Sequence, residues 1–436
     1  MKSRFLKLAL GGALVAMVAV QATSAQQAAP APARAAEALP AVHALADRYV
    51  AERKVPGIVV GVGRGDRPTD FVSAGRIADE PQAPAAGPDS LWRIYSMTKP
   101  VTGIAAMILV EEGKLKLDQP ISDFIPAFRN MKVLDDPNGT TLASHPAKTQ
   151  ITVRHLLTHT AGLGYSIITK GPLLDEYNRL GLNPAAVGPA MEPQMRAARA
   201  PTLEEFANRV AQAPLIAEPG TKWSYSISLD LLGRVIEVAS GQKFDDFLKA
   251  RLFDPLKMNS TGFMVAPANA SRLATNYFYM GENRVPVDGG PTSIWLKPPS
   301  FPYGGAGLVS SARDYDRFLH MLQNGGTLDG VRILKPETAA LAMSNLLPAG
   351  TDTSMLGAIS GLAGKLGFGA GGSVYLQDVP GSAGKGTYGW AGAAGTLAWV
   401  DPGRGIRGVV MVNYMPAEKW PLRADINQAI AADFRR

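Results

Sequence analysis

Apolar positions along this chain follow a helical period in its first segment, a strand pattern just after it, and strand patterns again near the C-terminus. AVHALADRYVAERKV, from Ala41, puts Val42, Leu45, Tyr49 and Val50 at helical spacing, which predicts an amphipathic helix. GIVVGVGRGD and DFVSAGRI then read as two strands joined by a turn containing Gly65, Asp66 and Pro68. Ser96 to Glu112 carries the strongest helix pattern, with Gly113 placed as its stop. From there to about residue 300 the pattern is helix and loop, including ITVRHLLTHTAGL and SLDLLGRVIEVASG between proline-rich connections. SARDYDRFLHMLQNGG gives one more helix after a glycine turn. Strands return in GSVYLQD, TYGWAG, TLAWVD and GIRGVVMVNY, with DPGRG as a tight connection, before a last helix in ADINQAIAADF.

Strands near both ends with helices between them predict an α+β fold. One antiparallel sheet is built from both chain ends and flanked by helices, and residues 114–300 form a mostly helical lobe. The cleft between sheet and lobe is the expected ligand site. No internal repeat is visible.

The N-terminus changes this picture. MKSRFLK carries Lys2, Arg4 and Lys7, Leu8 to Val20 is almost wholly apolar, and QATSA ends in small residues at Ala25. Residues 1–25 therefore read as a secretory signal peptide, too short in its apolar stretch to span a bilayer. Residues 26–40 read as an Ala/Pro-rich leader, and residues 41–436 as the folded domain. The expectation is a secreted or periplasmic protein with no stable membrane insertion once the signal is removed. The chain has no cysteine, so it relies on its core alone. Its formal charge of +7 includes the three basic residues of the signal, leaving +4. No basic run has interleaved aromatics, which argues against nucleic acid as a partner.

The candidate chemistry lies in RIYSMTKPVTG, Arg93 to Gly103. A serine hydroxyl is a poor nucleophile until a base takes its proton. Helical positions i and i+3 share a face, so Lys99 can reach Ser96, and a desolvated lysine amine can serve as that base. Pro100 is tolerated only in a first helical turn, so the helix must start near Ser96. Its N-terminus offers N–H groups to a developing oxyanion. Two further S-x-x-K matches, Ser240/Lys243 and Ser382/Lys385, fall past a helix end and in a glycine-rich loop, where no helical face unites the pair. PGTKWSYSISLDLLG puts Tyr225 directly before a helix whose expected N-cap is Ser228. GWAGAAG puts Trp390, Ala391 and Gly392 at a strand edge, where small residues let a backbone N–H approach a ligand.

Taken in order, IYSMTKP, LLTHTAGL, PGTKWSYS, GGAGLVSSARD and GWAGAAGTLAWVDP resemble the serine β-lactamase and penicillin-binding-protein superfamily. More narrowly, they resemble the class C β-lactamase-like esterases called family VIII carboxylesterases, from about Ala41 to the C-terminus. The resemblance implies a β-lactamase/DD-peptidase-like fold, Ser96 as the acylated nucleophile, Lys99 as its base and Tyr225 as proton partner. It also implies an oxyanion hole from the N–H groups of Ser96 and Ala393, with Trp390, Ala391 and Gly392 at the third family element. Two departures shape the substrate. Ile227 stands where many β-lactamases have asparagine, and Trp390 stands where they have a lysine that could pair with a substrate carboxylate. Both substitutions favour neutral, apolar acyl groups, so the expected substrate is a small ester, with β-lactam-like compounds second.

The reading is thus a serine hydrolase of carboxylesterase type, with no metal or organic cofactor. The alternatives are β-lactamase, D-alanyl carboxypeptidase or D-amino-acid amidase activity on cell-wall-related substrates, and a catalytically silent sensor. His155 and His159 are spaced i, i+4 but lack a third ligand, so packing or capping is expected of them. GFGAGG, Gly367 to Gly372, precedes a strand where a dinucleotide site needs a helix, and is read as a bend in a strand. Adjacent Asp245 and Asp246 do not face each other on a helix, and no G-x-S-x-G exists. The segments 164–200 and 346–364 are expected to shape the acyl pocket.

Overall fold

In the computed structural model, residues 38–434 are described. The expected signal peptide and nearly all of the leader lie outside the described residues. Helix α1 (Pro40–Ala51) begins one residue before the expected domain boundary, with Pro40 in its first turn, where a missing N–H costs no hydrogen bond. Strands β1 (Gly57–Arg64) and β2 (Asp70–Gly75) follow. Helix α2 (Thr98–Glu111) carries the S-x-x-K segment, α3 (Ser228–Ser240) follows Tyr225, and α4 (Ala312–Gln323) precedes the C-terminal strands. Those strands are β3 (Leu366–Phe368), β4 (Ser373–Tyr375), β5 (Tyr388–Ala391), β6 (Leu397–Asp401) and β7 (Ile406–Met411), and α5 (Leu422–Phe434) closes the chain.

The seven strands form one antiparallel sheet in the order β3-β4-β5-β6-β7-β1-β2. Its two halves come from the two ends of the chain and join where Val60 pairs with Val410. Alternation along these strands sends side chains to opposite faces. Val59, Val409 and Met411 pack into the core that holds α2 and α4. Ile58, Val60, Val410 and Val412 pack beneath α1 and α5, against Leu45, Tyr49, Leu422 and Ile426. Strand β1 is apolar on both faces because both are covered, which is why GIVVGVGR shows no polar alternation.

The middle of the chain is less uniformly helical than its sequence suggests. It contains a hairpin, Asn276–Met280 with Asn283–Asp288, whose first strand also pairs in parallel with Tyr414–Met415. GFGAGG is not a bend in one strand. It spans β3 and the turn into β4, so its glycines make the reversal of a hairpin.

A buried ion pair ties that hairpin to the segment leading into α2. Arg93, wholly buried, donates to Asp288 through Nε at 2.7 Å and through a second nitrogen, and also to Ser293 Oγ at 2.9 Å. Asn413 brackets the Arg93 backbone, accepting from its N–H and donating to its carbonyl. Removing one partner would leave an uncompensated buried charge. Asp288→Ala is therefore expected to lower the unfolding free energy by about 3–5 kcal/mol, read by chemical denaturation. A loss below about 1 kcal/mol would mean that the pair braces nothing.

Candidate active site

The turn into α2 is built in two steps. Tyr95–Met97 forms a single 3-10 turn, and α2 takes over at Thr98, with Pro100 in its first turn. Tyr95 has φ +40°, a region that a bulky residue enters only when its surroundings impose it. Here Asn276 Nδ2 donates to the Tyr95 hydroxyl at 3.0 Å, and the Tyr95 ring meets Trp295 edge to face. The strained residue immediately precedes Ser96, so the backbone reversal sets the serine at the head of the helix. Tyr315 OH donates to Met97 O at 2.8 Å and the Leu308 N–H donates to Thr98 Oγ1 at 3.0 Å, fixing the same turn from the other side.

Ser96, Lys99 and Tyr225 converge. Lys99 Nζ donates to Ser96 Oγ at 3.1 Å and to the Gly305 carbonyl at 2.7 Å, and the lysine is wholly buried. Tyr225 OH donates to Ser96 Oγ at 2.6 Å, and Lys99 Nζ sits 4.5 Å from the Tyr225 ring centre. Ser96 is 8% exposed, whereas Lys99 has no exposed surface. Trp390 Nε1 donates to Tyr225 OH at 3.3 Å, so the indole orients the phenol.

At the end of β5, Gly392 lies against the backbone just before Ser96. A Cβ there would stand 2.5 Å from the Ile94 carbonyl, so only glycine permits the approach. Ala393, the next residue, is exposed, and among the described residues its N–H meets no acceptor. Its neighbour Gly392 lies against Ile94, two residues before Ser96, which brings this end of β5 to the head of α2.

Ile227 does not behave as expected. Its side chain is 0% exposed and packs in the main core, while its N–H bonds the Gly164 carbonyl. It takes the N-cap position of α3, with its side chain in the core. Ser228, expected at the cap, is inside the first turn, and its Oγ lies 2.7 Å from Ser226 Oγ.

Two groups that sequence reasoning passed over, Asp230 and Tyr165, also reach the site, as does His159. Asp230, in the first turn of α3, is wholly buried, and burial pushes its carboxyl up to about 7 although Lys99 pulls the other way. Tyr165 lies under Lys99, and burial, reinforced by Asp230, holds its phenol well above the usual range. His159, expected in packing, joins Ser226 through Nδ1 at 2.8 Å and packs 4.9 Å from the Tyr225 ring. Burial, and then Lys99, hold its imidazole well below the usual value, so it is a neutral spacer. His155 caps its own short helix with Thr152. Among the described residues no group of three or more His, Asp or Glu could hold a metal. The other two S-x-x-K matches bring no pair together on a helical face, since Ser240 ends α3 and Lys385 lies in a loop.

Aromatic rings wall the site. Trp390 meets Phe368 edge to face at 5.3 Å, and Trp223 stacks on Tyr225 at 6.2 Å. Leu347 and Met355, from the segment expected to shape the acyl pocket, pack on this cluster, and Tyr165 comes from the other such segment.

Comparison with known proteins agrees with this geometry. A family model described as Beta-lactamase matches residues 42–432. Esterase EstB of Burkholderia gladioli is 32% identical over 85% of this chain and 89% of its own. Acyltransferase calJ of Penicillium decumbens is 30% identical over 73% of this chain and 75% of its own. The solved structure of EstCE1, a hydrolase with promiscuous acyltransferase activity, superposes with a TM-score of 0.71 at 27% identity, covering 89% of this chain and 97% of that one. The family model spans the sheet and helices that hold Ser96, Lys99 and Tyr225 together, and the chain belongs to the β-lactamase family.

Proposed function

We propose that this protein is a serine hydrolase that cleaves small carboxylic esters through an acyl-enzyme on Ser96. One observation carries the reading: Ser96 Oγ lies within hydrogen-bond reach of a buried amine, Lys99, and a phenol, Tyr225. In the reaction, Ser96 Oγ bonds to the ester carbonyl carbon and its proton passes to Lys99. The N–H groups of Ser96 and Ala393 hold the oxyanion. As the carbon–oxygen bond to the alcohol breaks, Tyr225, recharged by Lys99, returns the proton to the leaving oxygen. Water then attacks the acyl-serine by the same route in reverse and releases the acid.

The likeness to EstB and EstCE1 supports an ester rather than a lactam, as does the aromatic wall. Trp390 gives its one N–H to Tyr225, which leaves no cation at that position to meet a substrate carboxylate. An acceptor other than water at the second step would make the reaction an acyl transfer, and calJ and EstCE1 are each described as having acyltransferase activity.

Ser96→Ala and Lys99→Met are each expected to lower kcat for p-nitrophenyl butyrate on the order of 10⁴-fold or more. Tyr225→Phe should cost about 10²–10³-fold. Mass spectrometry of a phosphonate-treated sample should place the label on Ser96, and a label elsewhere would refute the assignment. Across a substrate panel, kcat/KM for short-chain p-nitrophenyl esters should exceed that for nitrocefin or D-Ala-D-Ala peptides by about a hundredfold. Comparable or faster turnover of the lactam or peptide would overturn the ester preference.

We also propose that the protein is exported, on the basic and apolar pattern of residues 1–25. The mature chain should then begin at Gln26 in the periplasmic or secreted fraction. An intact N-terminus in the cytosol would reject this.

A further inference from the structure

The site contains a buried charge that the reaction scheme does not use. Asp230 belongs to the first turn of α3, yet it is directed across the site and not to solvent. Its Oδ1 accepts the Gly305 N–H at 2.8 Å. Its Oδ2 is buried with no hydrogen-bond partner, an expensive arrangement for a carboxylate unless a positive charge faces it.

The segment Gly304–Gly305 passes between α2 and α3 and touches both. Thr102 Oγ1 donates to the Gly304 carbonyl at 2.7 Å, and Lys99 Nζ donates to the Gly305 carbonyl at 2.7 Å. On the other side, a Cβ at Gly305 would stand 2.4 Å from Asp230 Oδ2, so glycine alone lets the strap lie this close. One residue of the strap therefore takes a hydrogen bond from the catalytic amine and gives one to the aspartate. The titratable groups facing Asp230 are Lys99 from α2 and Tyr165 from the segment after His159. The strap itself brings none.

We propose that Asp230 is a positioning residue for Lys99: it clamps the Gly305 strap that aims the amine at Ser96, and its unpartnered oxygen supplies the buried negative charge that stabilises the ammonium formed when Ser96 releases its proton. The residue touches neither the substrate nor the reacting oxygen. Its effect is confined to the proton-transfer step, so it should appear in the acylation rate and not in binding. The inference rests on the serine-hydrolase reading.

Burial holds the Asp230 carboxyl near 7, so it loses its charge as pH falls through that value. The ammonium then loses its counter-charge, and acylation should slow on the acidic side. Asp230→Asn retains a carbonyl oxygen for the Gly305 N–H and removes the charge at every pH.

The test measures burst-phase acylation by a p-nitrophenyl ester for the full chain, Asp230→Asn and Ser96→Ala, from about pH 5 to 9. The Asn variant should acylate about tenfold or more slowly with the substrate dissociation constant, read from the concentration dependence of the burst, nearly unchanged, and should lack the parent's acidic limb near neutrality. An Asn variant that acylates within about twofold of the parent, with the same pH profile, overturns the proposal. If that variant does not fold, the parent alone decides, because a flat rate through neutrality excludes a required carboxylate titrating there. An active Ser96→Ala rejects the serine-hydrolase reading itself. An inactive Ser96→Ala beside an unimpaired Asn variant rejects only the role of Asp230.

Discussion

A lysine amine sealed from water and held against a serine oxygen is the constraint on which the rest of this structure depends. Lys99 has no exposed surface, and its hydrogen bonds run to Ser96 and to one backbone carbonyl. Such a group is expensive to bury, so the protein must supply its environment in full. Helix α2, which carries the lysine, is buried from Thr98 to Leu109. The glycine strap, the aromatic rings and the buried aspartate are then the walls of one small chamber.

The large sheet serves that chamber from a distance. Its outer half carries β5 to the point where Gly392 abuts the backbone before Ser96, and its core face packs on α2. The Arg93–Asp288 pair and the Asn413 bracket anchor the approach to Ser96 in two other parts of the chain. Ser96 is thus fixed by segments roughly 200 and 300 residues away in sequence. The strained Tyr95 is the local sign of that imposition: its backbone conformation is unfavourable alone, and tertiary contacts hold it.

The same enclosure sets what Trp390 presents to the site. Where a cation would be needed for an anionic substrate, Trp390 is packed on Phe368 and bonded to Tyr225. The indole therefore has two tasks, orienting the phenol and presenting an apolar surface. Ile227 shows that a family position need not keep its role when its residue type changes. An apolar side chain there gains more from the core than from the cleft, and the core takes it.

The sequence by itself determined the parts whose signal is local. Period-two and unbroken apolar runs fixed the strands at both ends, and Pro100 and Gly113 bounded α2, with Gly113 at φ +72° where its stop was expected. Ser96 and Lys99 were legible because three residues on a helix bring two side chains to one face whatever surrounds them. Tyr225 and Trp390 were legible through ordered motifs. The tertiary structure alone decided the rest. Asp230 looks like an ordinary acidic residue in a helix's first turn, and only the strap from residue 305 makes it a buried carboxyl beside Lys99. The docking of the 276–288 hairpin on Tyr414–Met415 and the inward turn of Ile227 depend on partners far along the chain. Contacts of that kind leave no period in the sequence, because they are set by which surfaces meet when the chain closes on itself.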